Sequence, residues 1–433
     1  MFKTGRNACR TRGDTTVRQP YTLGDYFHFL QMYRRNQRRQ RKWGKEYETA
    51  VRDGSFKLPA ATVVQLIPTE ACNLRCPFCN QWGENGYFLS GVRHATHMDE
   101  QGLEHLLRGL SPVDSLISVH GGEPFAYKHT PTLLRLLREQ QFDVMFSTNG
   151  TLLTPHLEAL AQIKNLAFLL SIDGDEKTHD KIRGQGTFAR ARTALAELFA
   201  LRRRAGTPPP FVIMSIVVCE WTTEVLEEAY NVARDFNAFA INYNFRWFLT
   251  EKIGLTYEKH LEQEFGVKSS GAWRGWVSAD HEKHDYGNVA RALERVLRRK
   301  RFRLSPPFVH TTPSQLRGQD YEKYFTDYLN TFGNESCFMP FYWARVHANG
   351  DLIFCPGHPD IIAGNVFRDG FMASFNSELA VKFRKHMLGN RLPICNRCCG
   401  LYMTNPARPF EQKARRHLGL PKEVKTHLPA EVL

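Results

Sequence analysis

Cys72, Cys76 and Cys79 stand in the order C-x3-C-x2-C within "TEACNLRCPFCN" (69–80). Three thiols in eight residues can converge on one metal centre, whereas iron and zinc sites ordinarily take four protein or outside ligands. A second group lies far downstream: Cys337, Cys355, Cys395, Cys398 and Cys399. Cys9 and Cys219 stand apart from both groups. The chain opens on "MFKTGRNACRTRGD" without an apolar h-region, so a cytoplasmic, reducing setting is expected. There, clustered cysteines read as metal ligands rather than disulfides. Two metal sites follow, one for each group.

These residues need elements that hold them together. From residue 62, apolar runs recur at "TVVQLI" (62–67), "SLISVH" (115–120), "DVMFST" (143–148), "LAFLLSI" (166–172), "FVIMSIVV" (211–218) and "FAINYNF" (239–245). Helical patterns at 131–139, 154–163, 187–204 and 224–236 alternate with them. Six βα repeats imply a parallel sheet with helical crossovers, an α/β fold closed as a partial (β/α)6 barrel. Turn residues follow the strands: Gly121-Gly122-Glu123-Pro124, Thr148-Asn149-Gly150 and Ser171-Ile172-Asp173-Gly174, then His179, Asp180 and Arg183. All would ring one mouth. The expected divisions are a basic helical segment (1–58), the barrel (59–250), a mostly helical insertion (251–335), a small cysteine-bearing domain (336–402) and a polar tail (403–433). Within the fourth, "WARVHANGDLIFC" (343–355) reads as a hairpin turning at Asn349-Gly350.

C-x3-C-x2-C after a strand, with Phe78 before its third cysteine, then "GGEP" (121–124) and "SIDG" (171–174) in that order, resembles the radical SAM superfamily. The resemblance implies a [4Fe–4S] cluster on Cys72, Cys76 and Cys79, its open iron chelated by S-adenosylmethionine. It places the backbone near Phe78 at the adenine, Gly121, Gly122 and Glu123 along the methionine amine, and Ser171 at the ribose. Arg183 is the candidate for the methionine carboxylate, since a guanidinium matches a carboxylate; a surface ion pair is the plain alternative. "SIVVCEW" shows no Gly-rich pattern, so no adenine contact is expected there.

Cys337-x12-Gly350-x4-Cys355 resembles the opening of a SPASM extension in its shortened twitch form. That resemblance implies one auxiliary [4Fe–4S] cluster on Cys337, Cys355, Cys395 and Cys398. Cys399 is left as a replacement ligand, an inert thiol or a hydrogen-atom donor to substrate. Four thiolates also suit zinc, which stays open for this site. Reductive cleavage of S-adenosylmethionine to a 5′-deoxyadenosyl radical, followed by oxidation or epimerisation of the substrate with the auxiliary cluster accepting an electron or binding substrate, is what the family implies. A reductant such as flavodoxin or ferredoxin is then required.

The charge is uneven. Residues 1–60 hold 14 Lys/Arg against 5 Asp/Glu, densest in "RRNQRRQRK" (34–42). Leu23, Tyr26, Phe27 and Leu30 share one helical face just before it. A solvated helix on the core, contact with an anionic membrane and nucleic-acid contact all fit such a patch. The favoured substrate is small and polar, anionic ones included: a sugar, cyclitol, nucleoside or lipid-linked glycan, with no nucleic-acid partner. Trp247, Phe248, Trp273 and Trp276 could stack on such a ring or form core, and His120 could carry a proton or serve structure. A peptide-modifying maturase is the rival within the family. A zinc-stabilised nucleic-acid-binding protein is the rival outside it; that protein would be colourless, whereas two cubes bring about eight irons and a brown colour.

Overall fold

The computed structural model describes residues 21–110, 114–278, 286–301, 305–334, 336–355, 359–403 and 425–426. Cys9 and almost all of the polar tail lie outside these residues. Ten strands form one sheet: β1 (Val63–Leu66), β2 (Leu116–Val119), β3 (Asp143–Thr148), β4 (Leu166–Ser171), β5 (Phe211–Val218), β6 (Ala240–Phe245), β7 (Phe308–Thr312), β8 (Trp343–Val346), β9 (Asp351–Ile353) and β10 (Gly364–Asn365). The order is β10-β9-β8-β1-β2-β3-β4-β5-β6-β7, with β1 to β7 parallel to their neighbours. All six expected strands form.

The sheet alternates in character. Val144, Phe146, Phe168, Leu170, Met214, Ile216, Ile241 and Tyr243 are fully buried on one face, beneath the crossover helices. Ser147, Ser171, Asn242 and Asn244 on the other face stay half-buried. A two-residue side-chain period thus builds a dry outer layer and a polar inner wall. The crossover helices include α3 (Thr130–Glu139), α6 (Thr187–Arg204) and α7 (Leu226–Asp235); α5 (Glu176–Arg183) is short, and α1 (Leu23–Arg52) and α2 (Glu100–Leu110) precede β1 and β2.

Two features extend the expected barrel. The stretch 251–335 is helical at α8 (Glu251–Phe265), α9 (Gly287–Arg301) and α10 (Asp320–Thr326), but it also supplies β7, parallel to β6. The hairpin turning at Gly350 does not stand apart either. Its first strand, β8, pairs parallel with β1, with Gln65 opposite Arg345, so the cysteine-bearing domain continues the barrel sheet. The aromatics of the insertion are divided: Trp273 is wholly buried with Phe248 in the core, while Trp247 and Trp276 pair at 4.7 Å. Lys425–Thr426 pairs with Asn390–Arg391.

Helix α1 opens with a capping box, Thr22 and Asp25 each accepting the other's backbone N–H. It crosses the amino-terminal ends of the strands. Phe29 packs edge-on against Phe211 and Phe239 at 5.0 and 4.7 Å. Buried Arg39 donates to the Asp114 carbonyl at 2.7 Å and to Asp143 at 3.1 Å. Among the described residues no helix is long and apolar enough to cross a membrane.

Candidate active site

The first cysteine loop leaves the carboxyl end of β1 and is folded on itself. Cys79 N–H donates to the Cys76 carbonyl at 3.0 Å and Gly83 N–H to the Cys79 carbonyl at 2.8 Å. A Cβ on Gly83 would lie 2.6 Å from that carbonyl oxygen, so the turn admits only glycine. Three donors point at sulfur: Leu74 N–H to Cys72 Sγ and Trp82 N–H to Cys79 Sγ, both at 3.4 Å, and Arg183 Nη1 to Cys76 Sγ at 3.7 Å. Burial pushes the Cys72 thiol up to about 12 and the Cys76 thiol up to about 11. Such thiols ionise when a metal takes their charge. Donors aimed at sulfurs that need a cation suit an iron–sulfur cluster.

The "GGEP" turn runs directly beneath this loop. Gly122 N–H donates to the Thr69 carbonyl at 3.2 Å and Glu123 N–H to the Ala71 carbonyl at 2.8 Å. A Cβ on Gly122 would fall 2.3 Å from the Ala71 carbonyl oxygen, one residue before Cys72. Backbone cannot yield as a flexible side chain does. Gly122→Ala is therefore expected to destabilise the fold by about 1–3 kcal/mol and to reduce iron uptake, read by denaturant midpoint and iron assay.

Glu123 is 1% exposed and clamps two strand ends. Its carboxylate accepts Phe125 N–H at 3.1 Å, the Thr148 hydroxyl at 2.7 Å and Asn149 N–H at 2.8 Å. Burial nevertheless raises its pKa from 4.5 to about 7, outweighing those three donors. The unfolded chain releases this proton above about 4.5, and the folded chain holds it until about 7. Its stabilising contribution is thus complete below 4.5 and disappears as the pH rises through 7. Iron-free protein is expected to lose roughly 3 kcal/mol between pH 4.5 and 8 from this group, a slope that Glu123→Gln removes in denaturant titrations.

Arg183, at the end of α5, is in an ion pair, and the pair is buried. Its Nε donates to Asp173 Oδ2 at 2.6 Å, and the Asp173 side chain is wholly enclosed. Asp173 Oδ1 accepts Val217 N–H at 3.0 Å, while its own N–H donates to His179 Nδ1 at 3.1 Å. Burial opposes the Arg183 charge, but Asp173 and the Cys76 sulfur raise its pKa well above the ordinary value. The guanidinium also lies over the Phe78 ring at 5.5 Å. Phe78 in turn meets Trp221 at 5.9 Å, just beyond β5. Ser171 is half-buried and opposite Ser215 on the inner wall. His120 is tied through Nε2 to Ser118 Oγ at 3.0 Å, and burial lowers it to about 3, so it is neutral. Cys219 is fully enclosed.

The second group converges on a separate cavity. Cys337, Cys355, Cys395 and Cys398 line it together with apolar walls that include Phe354 and Phe383. Cys399 is absent from that lining. Gly400 closes one side: a Cβ there would approach Met339 at 3.0 Å and the Cys398 and Cys337 sulfurs at 3.5 and 3.9 Å. Burial pushes Cys395 up to about 12 and Cys398 up to about 11. Tetrahedral zinc would hold sulfurs about 3.8 Å apart. Among the described residues no three His, Cys, Asp or Glu side chains are placed to hold a single metal ion. Four thiols gathered in one cavity with apolar walls suit an iron–sulfur cluster.

Sequence reasoning missed the polar residues linking the two sites. His347, just past β8, meets Glu70 Oε1 through Nδ1 at 2.7 Å, both side chains being buried. Glu70 Oε2 accepts Thr96 N–H at 3.0 Å and the Thr96 hydroxyl at 2.8 Å, and Glu70 stands two residues before Cys72. Arg345 bonds Gln65 across the β1–β8 pair. Nothing in "VHANG" or "PTEAC" marks such a pairing, because it joins positions 277 residues apart.

Comparison with known proteins agrees with this geometry. A model of the radical SAM superfamily matches residues 66–233, and a model of the SPASM iron–sulfur cluster-binding domain matches 337–399. The Fe-coproporphyrin III synthase of Methanosarcina barkeri is 32% identical over 129 residues, 29% of this chain and 31% of that protein. The mycofactocin maturase MftC of Mycolicibacterium smegmatis is 28% identical over 173 residues, 39% and 41% of the two chains. The chain thus spans about a third to two-fifths of these curated relatives. Streptococcus suis SuiB bound to S-adenosylmethionine shares the fold at TM-score 0.56 and 16% identity, over 82% of this chain and 77% of that one. The AdoMet-bound structure of anSMEcpe does so at TM-score 0.53 and 16% identity, over 82% and 93%. The chain carries a radical SAM domain and a SPASM iron–sulfur cluster-binding domain, with S-adenosylmethionine and iron–sulfur clusters as the cofactors of those domains.

Proposed function

We propose that this enzyme oxidises a peptide by two electrons, starting from removal of a hydrogen atom at carbon. The observation that carries the oxidative part is the second four-thiol cavity, in a domain joined to β1 by β8, beside the strand that launches the first cysteine loop. When bound, the three-cysteine cluster with S-adenosylmethionine supplies a hydrogen-abstracting 5′-deoxyadenosyl radical, and the auxiliary cluster supplies an electron acceptor. In this reading Cys72, Cys76 and Cys79 hold the first cluster, and Cys337, Cys355, Cys395 and Cys398 hold the second. Phe78, Gly121, Gly122, Glu123, Ser171 and Arg183 surround the S-adenosylmethionine. Asp173 fixes the Arg183 guanidinium, and Thr148 and Asn149 fix Glu123. The half-buried serines and asparagines of the inner wall meet the substrate.

The peptide reading draws support from relatives: one is named a maturase, and a SuiB structure is described as bound to the precursor peptide SuiA. The relatives described above include none named for a sugar or cyclitol substrate, and that expectation gains no support from them. A small anionic substrate remains the second reading, favoured by the buried cation Arg345 beside the inner wall and by the relative named a coproporphyrin synthase. Anaerobic incubation with S-adenosylmethionine, dithionite and a panel of short synthetic peptides separates the two. Loss of two hydrogen masses from one peptide supports the proposal. Unaltered peptides throughout, while 5′-deoxyadenosine still accumulates, would overturn it.

A further inference from the structure

The exposed face of α1 carries a pattern that the radical chemistry does not use. Leu23, Phe27 and Leu30 are 89%, 57% and 41% exposed. Arg34, Arg38, Arg41 and Lys45 continue the row, all exposed. At 100° per residue these seven positions fall within about 60° of one line along the helix. Tyr33, 62% exposed, flanks the apolar end. Two acidic residues of the helix lie off the row, Asp25 buried in the cap and paired with Arg203 at 2.8 Å and exposed Glu46 about 140° from Leu23 around the axis; half-buried Glu48, three residues past Lys45, is the single acid on the row, against its four cations.

The stripe cannot turn inward. The opposite face is fixed by Phe29 between Phe211 and Phe239, by Arg39 on Asp114 and Asp143, and by Tyr47 on the Ala60 carbonyl at 3.0 Å. An apolar end followed by a run of cations on a rigid, outward-facing helix needs a partner that accepts both. From this we infer that α1 rests on an anionic lipid bilayer, its apolar end entering the interface and its basic end meeting lipid phosphates. Nucleic acid would neutralise the cations but leave Leu23, Phe27 and Leu30 in water. The sequence ahead of the helix adds to the same sign, with five Lys/Arg against one Asp in residues 1–20.

The placement of α1 gives the contact a direction. The helix covers the amino-terminal strand ends, whereas the cysteine loop leaves the carboxyl end of β1. A bilayer beneath α1 therefore leaves the mouth of the barrel facing away from the lipid. The contact locates the enzyme; it does not deliver substrate from the membrane.

The test uses full-length, cluster-reconstituted enzyme in anaerobic flotation with phosphatidylcholine vesicles, with and without phosphatidylserine, at about 0.1 M salt. Recovery with the anionic vesicles is expected to exceed that with neutral ones by about tenfold. Phe27→Ser with Leu30→Ser, and separately Arg38→Glu with Arg41→Glu, should each abolish that gain. Substrate-free 5′-deoxyadenosine formation should stay at the parent level, because none of these positions is near the cysteine loop. Equal recovery with both vesicle types would overturn the inference, as would full binding by both variants. Binding that emerges only after deletion of residues 2–20 would overturn it too, by making that segment the stripe's natural cover.

Discussion

Cys76→Ala is expected to abolish 5′-deoxyadenosine formation while leaving the auxiliary cluster in place. Cys76 is the most buried thiol of its loop, 8% exposed, and the one that Arg183 approaches at 3.7 Å. On the proposed ligand set, removing it takes away one of three ligands as well as one partner of a buried guanidinium, so two supports fail together. Loss of an outer-shell partner typically costs roughly 10–100-fold in metal affinity or activity, and a direct ligand should exceed that. Iron should fall from about eight per chain to about four. A variant that still forms 5′-deoxyadenosine at the parent rate would show that these thiols do not hold the reactive cluster.

The second large effect separates adjacent cysteines. Cys398→Ala is expected to lose the auxiliary cluster, about four irons, whereas Cys399→Ala should keep it. Cys398 N–H closes a turn on the Cys395 carbonyl at 3.0 Å, and both sulfurs face the same cavity. Cys399 opens the following short helix and is absent from that lining. Cys399 is half-buried, and desolvation raises its thiol well above the ordinary value. If Cys399→Ala keeps its iron but loses substrate turnover, a hydrogen atom returned from Cys399 to the substrate radical, and so epimerisation, is favoured over the proposed two-electron oxidation. If instead it loses the auxiliary iron and Cys398→Ala does not, the ligand assignment is reversed. Iron assay with electron paramagnetic resonance of each reduced variant reads the outcome.

How far the sequence reached depended on the range of each interaction. The six barrel strands were legible because a parallel strand buried by crossover helices reads as an apolar run, and the turn residues after it mark its end. The Asn349-Gly350 hairpin was legible for the same local reason, and Gly350 adopts φ +87°. Strand β7 was missed because "FVHTT" lies at the sheet edge and keeps most side chains partly exposed. The docking of β8 onto β1 has no local signature, since parallel pairing between residues 280 apart leaves no trace in either segment. Asp173 was in view as part of "SIDG", but its hold on Arg183 appears only when α5 folds back over β4. Glu70–His347 and Arg345–Gln65 were beyond reach for the same reason. Trp221 went unassigned because its neighbours lack a glycine pattern, yet its ring meets Phe78 across the loop.

The most direct check is anaerobic, reconstituted protein given S-adenosylmethionine and dithionite, with nucleoside products resolved by chromatography. Protein holding about eight irons should convert S-adenosylmethionine to 5′-deoxyadenosine and methionine well above a protein-free control. An iron-replete sample that leaves S-adenosylmethionine intact would show that the cysteine loop and its glycine–glutamate cradle do not form the centre described.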